Sequence, residues 1–257
     1  MKTRGLRIVT YNIHKGFSQF NRRMMLYELR EQLQRLDADI VFLQEVQGKH
    51  SLNAERIENW PEEPQHIFLA GDIWRSTVYA SNAVYDHGHH GNAILSRFPI
   101  EYAFNQDVTH LRFERRGLLH CRIGVPDART PVHCVCVHLS LFARSRRRQM
   151  DALASHLENA AEQDSPLIIA GDFNDWRNEA DALLARRLGL CEIFSGATGT
   201  SGAPVRSFPA KHPVLRLDRI YVRGFSIKQA KVHAGPPWSK MSDHAALSAQ
   251  LGWDEEK

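Results

Sequence analysis

The segment that most constrains this chain is residues 165–176, S-P-L-I-I-A-G-D-F-N-D-W. Leu167 to Ala170 form a short, uninterrupted apolar run. Such a run suits a strand covered on both faces, because a half-exposed strand would interleave polar residues. Gly171 is read as its end, and Asp172, Asn174 and Asp175 follow at once. A buried strand that carries a carboxylate and an amide into the next loop sets polar groups on rigid backbone at the rim of a core. If the chain stays extended there, Asp172 and Asn174 point the same way. The same residues also suit a plain turn, since Asp and Asn hydrogen-bond their own backbone.

The chain is long enough to cover such a strand. Its 257 residues are 43% hydrophobic, and residues 1–257 read as one domain. A net charge of +4 favours an anionic substrate but falls well short of a nucleic-acid coat protein. Cys121, Cys134, Cys136 and Cys191 show no C-x-x-C spacing, and three of them sit in apolar strand-like runs. They read as reduced core thiols of a cytosolic protein. The opening residues M-K-T-R-G-L-R-I-V-T lack the apolar stretch of a signal peptide, and no later segment is apolar for long enough to span a bilayer. The expectation is a soluble, cytoplasmic monomer.

Along the chain, Leu6 to Ile13 reads as a strand that delivers Asn12 near its end. Asn21 is a candidate cap for a helix through Leu36. Asp39 to Leu43 is a second continuous apolar strand, delivering Gln44 and Glu45. Asn53 to Trp60 reads as a short helix and His66 to Ala70 as a strand. In D-H-G-H-H, His87, His89 and His90 read as a polar surface loop, for want of a second ligand pair at metal spacing. Asn92 to Ser96 and Ile100 to Phe104 flank R-F-P and read as a hairpin-like strand pair. Leu118 to Val125 and Val132 to Leu139 are strands joined by the turn P-D-A-R-T-P, with Arg116 just ahead of the first and His138 closing the second.

Residues 145–163 read as an amphipathic helix with Met150, Leu153, Ala154, Leu157 and Ala161 inward. Its R-S-R-R-R start opposes the helix dipole and reads as a solvated basic face, with a phosphate or carboxylates as the alternative compensation. Asn178 is a candidate cap for a helix through Leu188. The Gly- and Ser-rich stretch of residues 195–204 reads as a surface loop. Leu217 to Val222 carries Asp218 into a strand, Phe225 to Val232 is another, and Asp243 and His244 stand ahead of a last strand, Ala245 to Leu251.

These assignments place polar residues beside apolar runs repeatedly: Asn12, Glu45, Arg116, His138, Asp172 with Asn174, Asp218, and Asp243 with His244. A hard divalent cation takes oxygen ligands, which Glu45, Asp243 and Asn12 would supply. Hydrolysis of a phosphate ester also needs a base for water, a cation for developing charge and an acid or metal at the leaving oxygen. The set contains all of these groups.

The ordered motifs T-Y-N-I-H, F-L-Q-E-V, G-N-A-I-L-S-R, E-R-R-G, V-H-L-S, G-D-F-N, L-D-R-I-Y-V and S-D-H resemble the endonuclease/exonuclease/phosphatase superfamily, or deoxyribonuclease I-like fold. The resemblance runs from Leu6 to Leu251. It implies a four-layered α/β/β/α sandwich of two mixed β-sheets flanked by helices, with the site at one end. It also implies Glu45 as a metal ligand with Asn12 and Asp243 nearby, and Mg²⁺ or Mn²⁺ as cofactor. In the same correspondence Asp172 orients or deprotonates the attacking water, and Asn174 contacts phosphate. His244 binds the scissile phosphate or acts as base, Asp218 fixes its tautomer, His138 lies near the leaving group, and Arg116 binds phosphate. His14 stands where some abasic-site endonucleases carry Asp, which weakens a repair-endonuclease reading.

The implied activity is a metal-dependent phosphodiesterase or nuclease acting by in-line attack of activated water, with an anionic phosphodiester as partner. Nucleic acid is one candidate, with Arg144, Arg146, Arg147 and Arg148 meeting its backbone. A phospholipid or sphingomyelin-type phosphodiesterase and a small-molecule phosphatase use the same catalytic set; a lipid substrate would call for apolar residues beside the site, with Trp74, Pro236, Pro237 and Trp238 as candidates. A non-catalytic binding module is the reading from another class, and retention of Glu45, Asp172 and His244 argues against it.

Overall fold

The apolar runs of the sequence become the central strands of two six-stranded sheets. The computed structural model describes residues 5–126, 128–196 and 205–253. In chain order the strands are β1 (Leu6–Asn12), β2 (Ile40–His50), β3 (Ser76–Tyr85), β4 (Gly88–Ser96), β5 (Ile100–Asp107), β6 (Gly117–Ile123), β7 (Val132–His138), β8 (Leu167–Asp172), β9 (Cys191–Glu192), β10 (Asp218–Arg223), β11 (Phe225–His233) and β12 (Ala246–Trp253). The principal helices are α1 (Leu26–Arg35), α2 (Ser51–Arg56), α3 (Gln65–Ala70) and α4 (Ala143–Ala160).

One sheet has the order β11-β12-β1-β2-β4-β3, the other β5-β6-β7-β8-β10-β9. Each is mixed, because β1 pairs with β2 in parallel and β7 with β8 in parallel, while their other partners run antiparallel. A parallel connection needs a crossover, and α1 and α4 supply the two. Between the sheets Ile8, Ile40, Phe42 and Ile94 meet Cys121, Cys134, Ile168 and Ile220. On the outer faces Val9, Val41 and Leu43 take Leu26, Leu29 and Leu33 of α1, and Val135, Val137 and Ile169 take Met150, Leu153 and Leu157 of α4. The result is four layers, α/β/β/α, and cover on both faces is why these strands read as continuous apolar runs. Cys121, Cys134 and Cys136 are buried free thiols, as read, and Cys191 is exposed. Among the described residues no helix is long and apolar enough to cross a membrane.

Several expectations needed correction. Residues 66–70 form helix α3 rather than a strand, since Pro64 sets the entry and Phe68 and Leu69 turn inward with Leu26 and Leu29. The helix expected over 53–60 is α2, which ends at Arg56 where Ile57 is extended. Asn21 lies in a short turn with φ 53° and does not cap α1, which begins at Leu26. The segments flanking R-F-P form no hairpin, because β4 belongs to one sheet and β5 to the other. Gly171 does not end its strand but sits inside β8 opposite Val137. Its φ of +148° and a position where a Cβ would lie 2.0 Å from the Val137 carbonyl oxygen require glycine there.

His89 and His90 are not in a surface loop but on β4, with the Tyr79 hydroxyl 2.8 Å from His89 Nδ1. Asn178, at φ 59°, caps nothing; the Ala180 N–H donates to Asp175 Oδ2 at 2.8 Å, and the next turn, Asp181–Ala185, is π-helical. The helix over 145–163 is α4, and its basic start is not a wholly solvated face, because Arg146 is fully buried. Trp74 and Trp238 are packing residues of the layer around α1. Residues 197–204 of the Gly- and Ser-rich stretch lie outside the described residues.

Candidate active site

Register alone gathers most of the polar residues singled out in the sequence. In one sheet Asn12 pairs with Gln44; in the other His138 pairs with Asp172 and Asp172 with Asp218. Asp243 and His244 stand three and two residues ahead of the start of β12, whose Leu247 pairs with Thr10 two residues before Asn12. All of these therefore stand at the same end of the sandwich.

Glu45 reaches the site by an irregularity that the apolar pattern does not show. β2 does not stop at Leu43; it continues to His50, with a register shift between Leu43 and Val46 and Glu45 at φ 56°. A bulge re-aims a side chain and kinks its strand. Glu45 Oε1 accepts from Asn12 Nδ2 at 3.3 Å, and Lys15 Nζ stands 3.8 Å from Oε2. The same Asn12 amide nitrogen donates to Asp172 Oδ2 at 3.2 Å, joining the two sheets. Asn12 Oδ1 accepts from the His14 N–H at 3.1 Å.

Asp172 is the hub. Its Oδ2 lies 3.5 Å from His138 Nε2 and 3.7 Å from His244 Nε2, and its Oδ1 accepts the Asn174 N–H at 2.9 Å. That last bond makes the Asx turn which was the alternative reading of G-D-F-N. Asn174, at φ 50°, does not continue the strand, and its Nδ2 donates to the Leu139 carbonyl at 2.9 Å. Burial pushes Asp172 up to about 6, with Asp218 acting in the same direction and His244 against it.

The other nitrogen of His244, Nδ1, stands 2.8 Å from Asp218 Oδ2. Burial alone would favour the neutral ring, but Asp218 and then Asp172 outweigh it and raise His244 to about 10. At neutral pH the imidazole is a cation clamped between two carboxylates. Ligand atoms of Asp172, Asp218 and His244 lie within 4.8 Å of one another, close enough to hold a metal ion. His138 is the opposite case: burial first, then Arg116 and His244, hold it well below its ordinary value and therefore neutral.

Asp243 is paired with His14, Oδ1 to Nδ1 at 3.2 Å. Burial would raise Asp243, but the His14 hydrogen bond and His244 lower it, and the same bond raises His14. Ser242 ties this segment to β1 through a 2.7 Å bond to the Asn12 carbonyl.

Arg116 is fastened at three nitrogens: Nε to the Leu139 carbonyl at 3.2 Å, Nη1 to the Arg115 carbonyl at 3.1 Å and Nη2 to Glu114 Oε1 at 3.1 Å. A guanidinium has five N–H donors, so two remain for a ligand.

These residues line a cleft of about 360 Å³. Glu45, Arg116, His138, Asp172, Asn174 and His244 all face it; Asn12, Asp218 and Asp243 do not line it but bond or border residues that do. Sequence reasoning missed Lys15, His90, Leu141, Trp176, Phe208, Leu215 and Leu217, which also line it. Lys15, His90, Leu141, Trp176 and Leu217 lay inside or beside quoted motifs; Phe208 and Leu215 carried no local signal. Of the arginines expected at the cleft, Arg146 is buried beneath the Trp176 ring, Arg147 pairs with Glu179, Arg148 meets His110, and Arg144 is exposed.

The profile of the Endonuclease/Exonuclease/phosphatase family matches residues 9–244. This chain belongs to that family. The Escherichia coli K12 protein YbhP is 46% identical over 245 residues, covering 95% of each chain. An endonuclease/exonuclease/phosphatase from Beutenbergia cavernae superposes with a TM-score of 0.75 at 18% identity, over 97% of this chain and 72% of that one. A mannosyl-6-phosphatase from Bacteroides thetaiotaomicron superposes with a TM-score of 0.71 at 16% identity, over 96% of this chain and 100% of that one. The family's fold and this chain's two-sheet architecture agree.

Proposed function

We propose that this protein is a divalent-metal-dependent phosphodiesterase that hydrolyses its substrate by in-line attack of an activated water. The observation that carries the reading is the hydrogen-bonded series Asp218–His244, Asp172–Asn12 and Asn12–Glu45, which spans both sheets and opens on the cleft. Membership of the phosphoesterase family supports it.

Asp172, raised toward neutrality by burial, is a stronger base than an ordinary carboxylate and takes the proton of the attacking water. His244, held protonated by Asp218, offers its Nε2–H to a phosphoryl oxygen, where charge grows in the transition state. The two unengaged N–H groups of Arg116 and the second N–H of the Asn174 amide bind the remaining phosphate oxygens. Neutral His138 can offer a ring N–H hydrogen bond to the departing oxygen.

The donor chemistry fits a hard cation: Glu45 and Asp243 offer carboxylate oxygens, Asn12 an amide, and Glu45 is aimed by a bulge toward Asn12 and Lys15. Bound there, Mg²⁺ or Mn²⁺ would supply Lewis-acid stabilisation of phosphate charge.

The test is hydrolysis of bis-p-nitrophenyl phosphate beside p-nitrophenyl phosphate, with Mg²⁺, with Mn²⁺ and with chelator. The expected result is metal-dependent turnover that favours the diester. Preference for the monoester would replace this reading with a phosphatase, the activity carried by the Bacteroides neighbour's name. Equal turnover in chelator would remove the metal from the account.

A further inference from the structure

The mouth of the cleft is fringed by large apolar side chains that nothing in the fold requires to be outside. Phe113 is 78% exposed, Leu141 52% and Phe142 51%, while Val214 and Leu215 stand exposed on another segment of the mouth. Leu141, Leu215 and the half-exposed Trp176 line the cleft itself, and Phe142 packs against Phe113 at 5.9 Å. Single exposed apolar residues are ordinary, but a contiguous group around a site marks an interaction surface.

These tips are held out by buried bonds. Glu114 turns inward, accepting from the Leu141 N–H at 3.0 Å, from Arg116 at 3.1 Å and from the Ser140 hydroxyl. With the Glu114 N–H bonded to the Leu111 carbonyl at 3.0 Å, this drives Arg112 and Phe113 to the tip of a tight turn. The neighbouring loop is fixed by Gln149, which accepts the Ser140 N–H at 2.8 Å, and by Ser140 Oγ, which accepts the Phe142 N–H at 3.1 Å. Trp176 is backed by the guanidinium of the buried Arg146, 4.9 Å from its ring centroid.

Cations accompany the apolar tips. Arg112, Arg115 and Arg144 are exposed beside Phe113 and Phe142, with Asp107 as an electrostatic neighbour of Arg115. Apolar tips among exposed arginines complement a surface that is oily beneath and anionic above. Single-stranded nucleic acid would instead call for parallel ring faces on which bases stack. Leu141, Val214 and Leu215 have no ring face, and the Phe113 and Phe142 rings meet edge to face at 81°.

We propose that this rim docks the protein on anionic phospholipid bilayers, presenting phosphodiesters at the membrane surface to the cleft. The substrate half of this statement rests on the phosphodiesterase reading; the docking half does not.

The test is co-sedimentation of the intact protein with large unilamellar vesicles of phosphatidylcholine and phosphatidylglycerol, 1:1, and of phosphatidylcholine alone. The wild type is expected to pellet with the anionic vesicles. Phe113→Ser/Phe142→Ser should lower the partition coefficient about tenfold or more per phenylalanine, and Arg112→Gln/Arg115→Gln/Arg144→Gln roughly fivefold per arginine. Both variants should keep wild-type turnover of soluble bis-p-nitrophenyl phosphate, which shows that they fold. Wild-type protein that stays in the supernatant at millimolar lipid, or variants that pellet as the wild type does, would overturn the proposal. So would binding of a poly-dT oligomer that depends on the same residues while vesicles are ignored. Vesicle binding with no diester turnover would count against the catalytic reading and leave the docking surface standing.

Discussion

Replacing Asp218 by Asn should disarm the site without reshaping it. The amide is nearly isosteric with the carboxylate but carries no charge, and it leaves the His244 ring buried with its Nδ1 against an uncharged partner. At 2.8 Å and an effective dielectric of about 20, the lost attraction is about 6 kcal/mol, or roughly four orders of magnitude in the proton affinity of the imidazole. His244 stands at about 10 chiefly because Asp218 and Asp172 outweigh burial. Without the larger of the two, the ring is neutral at pH 7. A neutral ring offers a weaker donor to the phosphoryl oxygen and is free to adopt the wrong tautomer, so kcat/KM should fall by about 10² to 10³-fold. The assay is bis-p-nitrophenyl phosphate hydrolysis, with the His244 ring followed by nitrogen NMR across pH 6 to 10. A variant within threefold of wild type, or a ring still protonated at pH 8, would refute the reasoning.

Further predictions concern stability and support of the site. His120 bonds His156 at 2.9 Å and His133 at 3.0 Å, and burial holds it at about 3. Its folded value lies below its unfolded one, so the stability it contributes is present above about pH 6.5 and lost as pH falls: about 2 kcal/mol between pH 7.5 and 5. Urea titrations at both pH values should show His120→Gln losing that much less on acidification than the wild type; equal losses would contradict the assignment. Glu114→Gln sets an amide against the donors of Ser140, Leu141 and Arg116. It should cost about 1–3 kcal/mol in thermal or chemical unfolding and raise KM more than it lowers kcat, because Arg116 loses an anchor. Gly171→Ala meets the Val137 carbonyl and should destabilise by about 3 kcal/mol or more, seen as a lowered Tm.

How much of this was legible in the sequence depends on whether a residue's position follows from strand register or from departures from it. The central strands were readable because burial on both faces leaves an uninterrupted apolar run, and their ends then name Asn12, His138, Asp172 and Asp218. Glu45, Arg116 and His244 also stood out beside such runs, and the resemblance of the motifs supplied their roles. Glu45 illustrates the limit: its placement comes from a bulge in β2, and two-residue periodicity carries no mark of that. The helix α3 was misread because six residues cannot establish a period and Phe68, Leu69 and Ala70 suit either element. β4 and β5 looked like a hairpin since a short Pro-containing link also serves to change sheets. Phe208 and Leu215 enter the cleft from a segment with no periodic pattern, where tertiary contacts alone decide the path. Arg146 read as solvated because an arginine is rarely fully buried; the Ser140 and Leu141 carbonyls and the Trp176 ring accommodate it.

The central claim is that the groups around Asp172 carry out metal-dependent hydrolysis of a phosphodiester. The most direct measurement is kcat/KM for bis-p-nitrophenyl phosphate in Asp172→Asn and Glu45→Gln beside the wild type, with Tm and Mn²⁺ affinity determined on the same preparations. The account predicts that Asp172→Asn loses about 10³-fold while retaining Mn²⁺ affinity, and that Glu45→Gln loses both activity and Mn²⁺ affinity, with each variant folded. Turnover within tenfold of wild type in both folded variants would contradict it.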